Sequence, residues 1–343
     1  MTETLNRQWR LVNRPTGMVT EKHFARHEEP CPTCDDGSFL IRTLYVSVDP
    51  AMRGWITEDP DYMPPVPLNS VMLAPALGQV IESKHLDFKV GDIVSGMLGW
   101  QDYCLSDGNN LTPVQRVTVV HPLPRYLGVL GGTGLTAYFG LLDIGRPREN
   151  DVVVVSGAAG ATGSVAAQIA KIKQCHVIGI AGGQEKCNWL ATELGLDATI
   201  DYKTENVEAR LAELCPKGIN VYFDNVGGPL LEIVLAQMAT WGRIALCGMI
   251  SGYNADKLVP GPSNMFRLIT RRIRMEGFLV PDYGPRFKDA RREMSAWLAT
   301  GTLKAHEDIR EGFDVIPQTF CGLFQGTNTG KLMVKLSEPT TTS

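Results

Sequence analysis

Apolar and polar positions along the chain fall into two textures. From about Trp9 to Leu123, short apolar runs alternate with turn residues. Phe39–Val48 (FLIRTLYVSV), Ala76–Ser83 and Asp92–Met97 are rich in β-branched or aromatic residues and are punctuated by Gly, Pro and Asp, which predicts a β-rich unit. From about Asn150 the pattern changes to strand–helix alternation. Strands are predicted over Asp151–Ser156, His176–Ala181, Ala198–Asp201, Asn220–Asp224 and Arg243–Cys247, and helices over Ser164–Lys173, Glu185–Leu194, Glu205–Leu214 and Pro229–Met238. Such alternation implies a parallel sheet with crossover helices. Its strands are apolar throughout because helices cover both faces. After Thr302 the texture is turn-rich again, and Lys331–Leu336 reads as a terminal strand. The expected organisation is a β-rich domain from residues 1–125 and 311–343, with an α/β domain of residues 126–310 inserted into it. The tail after Glu338 is expected to be disordered.

The 343 residues suit two domains. A net charge of −4 gives no basic face, so no nucleic-acid partner is expected. Arg271, Arg272 and Arg274 form a short basic cluster, read as a solvated loop or domain-edge feature. Met1–Arg14 is polar and lacks the apolar core of a secretory signal. The longest apolar stretches are strand-sized, well short of a membrane span. The expected location is cytoplasmic. Of the eight cysteines, Cys31 and Cys34 form a lone Cys-x-x-Cys pair and the rest are scattered. One pair is half of a structural zinc site, and scattered cysteines without a signal read as reduced thiols.

The chemistry enters at Gly157-x-x-Gly160-x-x-Gly163, between an apolar strand and a helix. Glycines in that context permit a tight turn, let backbone approach a pyrophosphate and allow close helix packing, while the helix amino terminus offers free N–H groups. Gly157, Ala159, Gly160, Ala161, Thr162 and Gly163 are the expected dinucleotide cradle. An NAD-selective site places an acid at the end of the second strand. Here that end reads Ala181-Gly182-Gly183, with Lys186 three residues on. The missing acid and the nearby cation favour NADPH, although Glu185 lies beside Lys186.

With these residues in view the chain resembles the medium-chain dehydrogenase/reductase superfamily. Within it the likeness is to the zinc-independent branch of prostaglandin reductases (leukotriene 12-hydroxydehydrogenases) and bacterial curcumin reductases. The likeness runs through Leu44–Gly54 (LYVSVDPAMRG), Gly131–Leu142 (GGTGLTAYFGLL), Val154–Lys171, Ala181–Cys187, Tyr222–Gly228 (YFDNVGG), Cys247–Asn254 (CGMISGYN), Gly277–Val280 (GFLV) and Gly326–Lys331 (GTNTGK). Trp100–Tyr103 and Asp59–Pro65 are nearest the curcumin-reductase end. The resemblance implies an α/β protein with a GroES-like β-rich catalytic domain, a Rossmann doubly wound parallel sheet and an active site in the cleft between them. It also implies a homodimer.

The resemblance carries residues over. Lys186 and Tyr202 match positions that contact the 2′-phosphate, and Asn225 lies near the cofactor. Cys247, Gly248, Ser251 and Tyr253 match positions on the nicotinamide side. Phe278, Leu279 and Val280 border that ring through their backbone, and Asn328 reaches the cofactor from the carboxy-terminal segment. Where zinc-dependent members carry Cys and His ligands, this chain has Ser47–Pro50 and Ala76–Gln79, so no metal is expected. The implied reaction is NADPH-dependent reduction of the carbon–carbon double bond of an enone or enal. Tyr253 is the first candidate acid and Tyr62 the second. Arg53, Tyr62, Met63 and Tyr253 are the candidate substrate contacts, with a structural role for Arg53 as its alternative. Trp55 and Trp100 are candidates for an apolar wall or for core. An NADPH:quinone oxidoreductase and a non-catalytic NADPH-binding protein are the rival readings.

Overall fold

The structure is a computed structural model that describes residues 4–58, 62–257 and 259–340. The chain divides into two compact units: Met1–Leu127 with Glu307–Asn328 and Leu332–Ser343, and Gly128–His306 with Thr329–Lys331.

Six strands of the second unit form one parallel sheet. In chain order they are Val152–Ser156, His176–Ala181, Ala198–Asp201, Ile219–Asp224, Met238–Leu246 and Arg274–Gly277. Their spatial order is 3-2-1-4-5-6. Strand order reverses between the first and fourth strands, and ligands of such sheets bind beyond the carboxyl ends at that switch. Val153–Val155, Ile178, Ile180, Val221–Phe223 and Ile244 are buried, as expected for strands covered on both faces. Each fully buried Val, Ile or Phe side chain contributes about 1.5–3 kcal/mol to such a core.

The helices differ from expectation at their ends, for local reasons. The first crossover helix runs Ala161–Ile172 and takes Gly160 as its N-cap, so Gly163 falls within its first turn. The next is Gln184–Thr192, followed by Gly195 at φ +65°. Val207–Leu214 starts after Asn206, whose side-chain oxygen accepts from Ala209 N–H at 3.0 Å, an N-cap that resists fraying. Gly228–Ala236 ends two residues early because Met238 already belongs to the fifth strand.

Arg271, Arg272 and Arg274 are exposed and fit the domain-edge reading rather than the loop. Arg271 ends the helix Phe266–Arg271, Arg272 is its left-handed cap and stacks on Trp241, and Arg274 opens the sixth strand. That strand pairs on one side only, and an edge strand tolerates the charges that hide it from a pattern search.

In the first unit, Phe39–Ser47 is the central strand, buried along nearly its whole length. The sheet runs Glu307–Glu311, Lys331–Lys335, Phe39–Ser47, Pro75–Ser83, Ile93–Met97 and Gln115–Arg116, with Tyr103–Ser106 also paired to Phe39–Ser47, and its pairs from Lys331–Lys335 onward are antiparallel. Leu5–Leu11 and Phe24–Pro30 form a separate two-stranded ribbon. Beneath lies an aromatic core in which Trp100 meets Phe24 and Phe320 with ring centroids 4.9 and 5.7 Å apart. Phe320 belongs to the helix Ile316–Leu323, which the turn-rich texture concealed. The tail is more ordered than expected as far as Thr340, whose N–H and carbonyl bond the Gln79 side chain at 2.8 Å each.

Candidate active site

The glycine turn has the shape its spacing implies. Gly157, directly after the first strand, sits at φ +57°, where side chains are disfavoured. Gly160 N–H donates to Gly157 O at 3.0 Å and closes the turn. A Cβ on Gly163 would lie 2.3 Å from Gly157 O, so the helix start is pressed against the turn. The N–H groups of the helix's first turn, Ala161–Gly163, have no partner inside the helix and suit a phosphate. This bare-backbone cradle fits a dinucleotide pyrophosphate. The segment Thr329–Lys331 joins it: Gly330 N–H donates to Ala159 O at 2.7 Å. Gly330 is at φ +69°, and a Cβ there would lie 2.3 Å from His306 O. Asn328, buried, immediately precedes this segment.

Beside the turn, at the switch point, the Tyr222–Gly228 segment forms a polar cluster centred on Asp224. Asp224, fully buried, ends the fourth strand. Its Oδ1 accepts from Ser156 Oγ at 2.9 Å, Tyr222 Oη at 2.8 Å, and Val226 and Gly227 N–H at 3.0 Å each. Its backbone carbonyl accepts from Cys247 and Gly248 N–H. Asn225 donates from its side chain to Ser156 O at 2.7 Å and from its backbone N–H to Ser156 Oγ at 2.9 Å. Asp224 thus ties the ends of the first, fourth and fifth strands together. Burial, then the Asp224 charge, pushes the Cys247 thiol up to about 12, so Cys247 keeps its proton and contributes packing rather than nucleophilic chemistry.

The end of the second strand carries no acid, yet an acid reaches it from the third. Asp201 accepts from Gly183 N–H at 2.7 Å, Lys203 N–H at 3.0 Å and Thr204 Oγ1 at 3.0 Å. The Gly183 bond, then the Lys203 bond, holds its carboxyl below the usual range. Its charge is spent on the loop, and the stabilisation is present above the ordinary aspartate range and fades as pH falls through the lowered value. The Tyr202 ring lies against Gly182, 2.8 Å from where a Cβ would stand. Lys186 is half-buried in the first turn of the helix Gln184–Thr192, with exposed Glu185 beside it. Gly182 and Tyr202 therefore share one corner, and Lys186 follows in the first turn of the helix that leads from it.

On the other flank, Tyr253 Oη accepts from Met249 N–H at 3.2 Å and lies 3.1 Å from a Cβ position on Gly248. Ser251 Oγ donates to Val226 O at 2.6 Å, which fastens this loop to the fourth-strand turn. Phe278, Leu279 and Val280 follow the sixth strand. Cys247, Gly248, Tyr253 and Phe278 all extend from carboxyl ends of the sheet.

The first unit holds the remaining candidates. Arg53 is buried and its Nη2 donates to the carbonyls of Pro15 at 3.1 Å and Gly17 at 2.9 Å. Burial lowers its pKa, and its position fits the structural alternative. Trp55 Nε1 donates to Tyr62 Oη at 3.2 Å, and Tyr62 is 52% exposed. Met63 packs at the edge of the core, and Trp100 is fully buried within it. Asp59–Asp61 of the proline-rich motif lie outside the described residues. Ser47 bonds Asp49, and Gln79 is occupied with Thr340. Among the described residues no three of His, Cys, Asp and Glu gather to hold a metal ion. Cys31 and Cys34 are thiols whose pKa values are raised, chiefly by burial.

A glycine turn at the switch point of a 3-2-1-4-5-6 sheet defines the dinucleotide-binding class of α/β fold. Two family models match: "N-terminal domain of oxidoreductase" over residues 7–114 and "Zinc-binding dehydrogenase" over residues 161–300. The chain is 42% identical to the NADPH-dependent curcumin reductase of Escherichia coli K12, over 97% of each chain. It is 38% identical to the 2-alkenal reductase (NADP(+)-dependent) of Nicotiana tabacum, over 87% of each. The crystal structure of CurA in complex with NADPH from Vibrio vulnificus superposes with a TM-score of 0.92 at 42% identity, covering 97% of this chain and 100% of that one. The chain belongs to the medium-chain dehydrogenase/reductase superfamily, in its zinc-independent branch of curcumin, prostaglandin and 2-alkenal reductases.

Proposed function

We propose that this protein is an enzyme that reduces the carbon–carbon double bond of α,β-unsaturated ketones and aldehydes with NADPH. The observation that carries the reading is the convergence, at the carboxyl end of one sheet, of the glycine cradle, the Asp224-anchored turns and the Tyr253 hydroxyl. The curcumin and 2-alkenal reductases among its relatives, and the NADPH-bound structural neighbour, support it. When bound, NADPH supplies a hydride to the β-carbon of the acceptor. The protein's own residues do the rest. Gly157, Ala159, Gly160, Ala161, Thr162 and Gly163 hold the pyrophosphate, and Gly182, Lys186 and Tyr202 hold the 2′-phosphate. Asn225, Cys247, Gly248, Ser251, Phe278, Leu279, Val280 and Asn328 flank the nicotinamide half. Tyr253 Oη donates a hydrogen bond to the carbonyl oxygen as negative charge develops there, and a proton from solvent then completes the α-carbon. The bond it accepts from Met249 N–H stabilises negative charge on that hydroxyl and makes it a better donor. Tyr62 and Met63 are assigned to the substrate, while Arg53 holds its loop.

The test is loss of nicotinamide absorbance with a panel of acceptors. A conjugated enone and an enal are expected to be reduced to products lacking the double bond, with a saturated ketone inert. Turnover of a quinone alone would make the protein a quinone reductase, and binding without turnover an NADPH-binding protein. Tyr253→Phe is expected to lower kcat about 100-fold, the usual loss for a donor to a developing oxyanion, with NADPH affinity unchanged. Tyr62→Phe is expected to cost less, since Tyr62 is half-exposed and water can take the place of its hydroxyl.

The homodimer is part of the same proposal. Trp241, Phe266 and Ile269 are 65–70% exposed and lie on or next to the strands at the sheet's edge. Exposed apolar patches beside an edge strand favour self-association. Light scattering is expected to return twice the chain mass, and the monomer mass would end this reading. A cytoplasmic location is consistent with eight free cysteines. Among the described residues no helix is long and apolar enough to cross a membrane.

A further inference from the structure

The helix Gly132–Phe139 runs straight into a π-helical turn, Gly140–Gly145. Such turns are rare and tend to occur at functional sites. At its head stands Gly140, buried and without a positive φ, so its lack of a side chain answers to space rather than to backbone conformation. A Cβ there would lie 2.3 Å from Phe278 Cζ, 2.8 Å from Phe278 Cε1 and 2.9 Å from Phe223 Cε2. The Phe278 ring is seated on the bare α-carbon of Gly140, beside the fully buried Phe223 of the fourth strand.

Little else fixes the start of the segment that Phe278 leads. The sixth strand before it is an edge strand with no buried residue, and Leu279 is exposed. Val280 and Tyr283 pack on the cluster of Leu135, Phe139 and Ala290, and Phe278 meets Tyr283 edge-on at 6.4 Å. The Phe278 ring is the peg, and Gly140 is its socket.

We infer that Gly140 is a positioning residue for the reduction. By seating Phe278 it sets the place of the 278–280 backbone against the nicotinamide half of the cofactor. This rests on the NADPH reading above. A methyl at Gly140 must move the ring from 2.3 Å to an ordinary contact of at least 3.4 Å, a displacement of about 1 Å. Misplacement of that size at a reacting centre costs about 100-fold in rate. The 2′-phosphate corner at Gly182, Lys186 and Tyr202 lies at the second strand, on the other side of the switch point, and is untouched.

Wild type, Gly140→Ala and the double variant Gly140→Ala/Phe278→Leu would be compared in three ways: turnover of a conjugated enone at saturating NADPH, the fluorescence change of NADPH on binding, and titration with adenosine 2′,5′-bisphosphate. The alanine variant is expected to lose about 100-fold in kcat and part of the nicotinamide fluorescence change, while binding the bisphosphate as wild type does. Shrinking residue 278 relieves the clash, so the double variant is expected to recover about tenfold. An alanine variant within twofold of wild type in kcat and fluorescence, or a double variant no better than the single, overturns the inference. If Gly140→Ala does not fold, Phe278→Leu alone decides: loss of kcat with bisphosphate affinity intact supports the peg, and unchanged kcat overturns it. A wild type that binds NADPH but turns over no enone removes the reductase reading instead. The fluorescence and bisphosphate arms then still test the seat.

Discussion

Gly163→Val is expected to weaken NADPH binding at least about 100-fold. The clash is with backbone alone: a Cβ at this position stands 2.3 Å from Gly157 O and 2.9 Å from both Gly157 C and Ala158 Cα. No side chain can rotate away, so the helix Ala161–Ile172 must lift from the turn. That helix is buried along Val165–Ala170, and lifting it disturbs packing as well as the cradle. Each hydrogen bond to a charged partner contributes about 1.5–3 kcal/mol, and loss of two such phosphate bonds gives a loss of 100-fold or more. Gly132→Ala is the control, because nothing lies within 4 Å of its Cβ position and alanine favours a helix. Calorimetric titration with NADPH checks both. Wild-type affinity in Gly163→Val would mean that the turn is not the phosphate cradle.

Asp224→Ala is expected to produce the largest loss of stability. It strips the shared acceptor from Ser156 Oγ, Tyr222 Oη and two backbone N–H groups at a fully buried site. Each buried donor left unmade costs about 1–3 kcal/mol, so partial relaxation still leaves a deficit of about 4 kcal/mol. For a unit of this size that corresponds to a fall of about 10 °C in Tm. Asp224→Asn retains an acceptor but presents an amide where Oδ2 has no donor to meet, and is expected to fall between alanine and wild type. Thermal unfolding followed by circular dichroism measures the series. An alanine variant melting within about 2 °C of wild type would show that these bonds are replaceable.

Much of this architecture was legible because its signals are local. A positive φ at Gly157 and an apolar run ending in a glycine triplet are properties of a few neighbouring residues. The strand–helix alternation reports burial that recurs at fixed intervals. The sixth strand was not legible. Arg-Met-Glu-Gly carries charges at an edge, and only pairing with Arg243–Leu246 makes it a strand. The helix Ile316–Leu323 was hidden by Pro317 and Gly322, and is held by burial of Ile316, Phe320 and Leu323 in the core. The ribbon strand Leu5–Leu11 owes its form to its partner Phe24–Pro30.

The site divides along the same line. Glycine spacing, the absence of an acid after the second strand and the nearby Lys186 are written in the order of residues, because they concern one turn and its flanks. Three features needed the folded chain. Asp224 gathers donors from residues 156, 222, 226 and 227, Gly330 comes to Ala159 across about 170 positions, and Gly140 meets Phe278 across 138. The sequence by itself determined the class of fold, the glycine turn and the family. Only the tertiary structure decided which polar groups are satisfied and which α-carbons must stay bare, because contacts between distant segments depend on packing and leave no periodic trace in the chain.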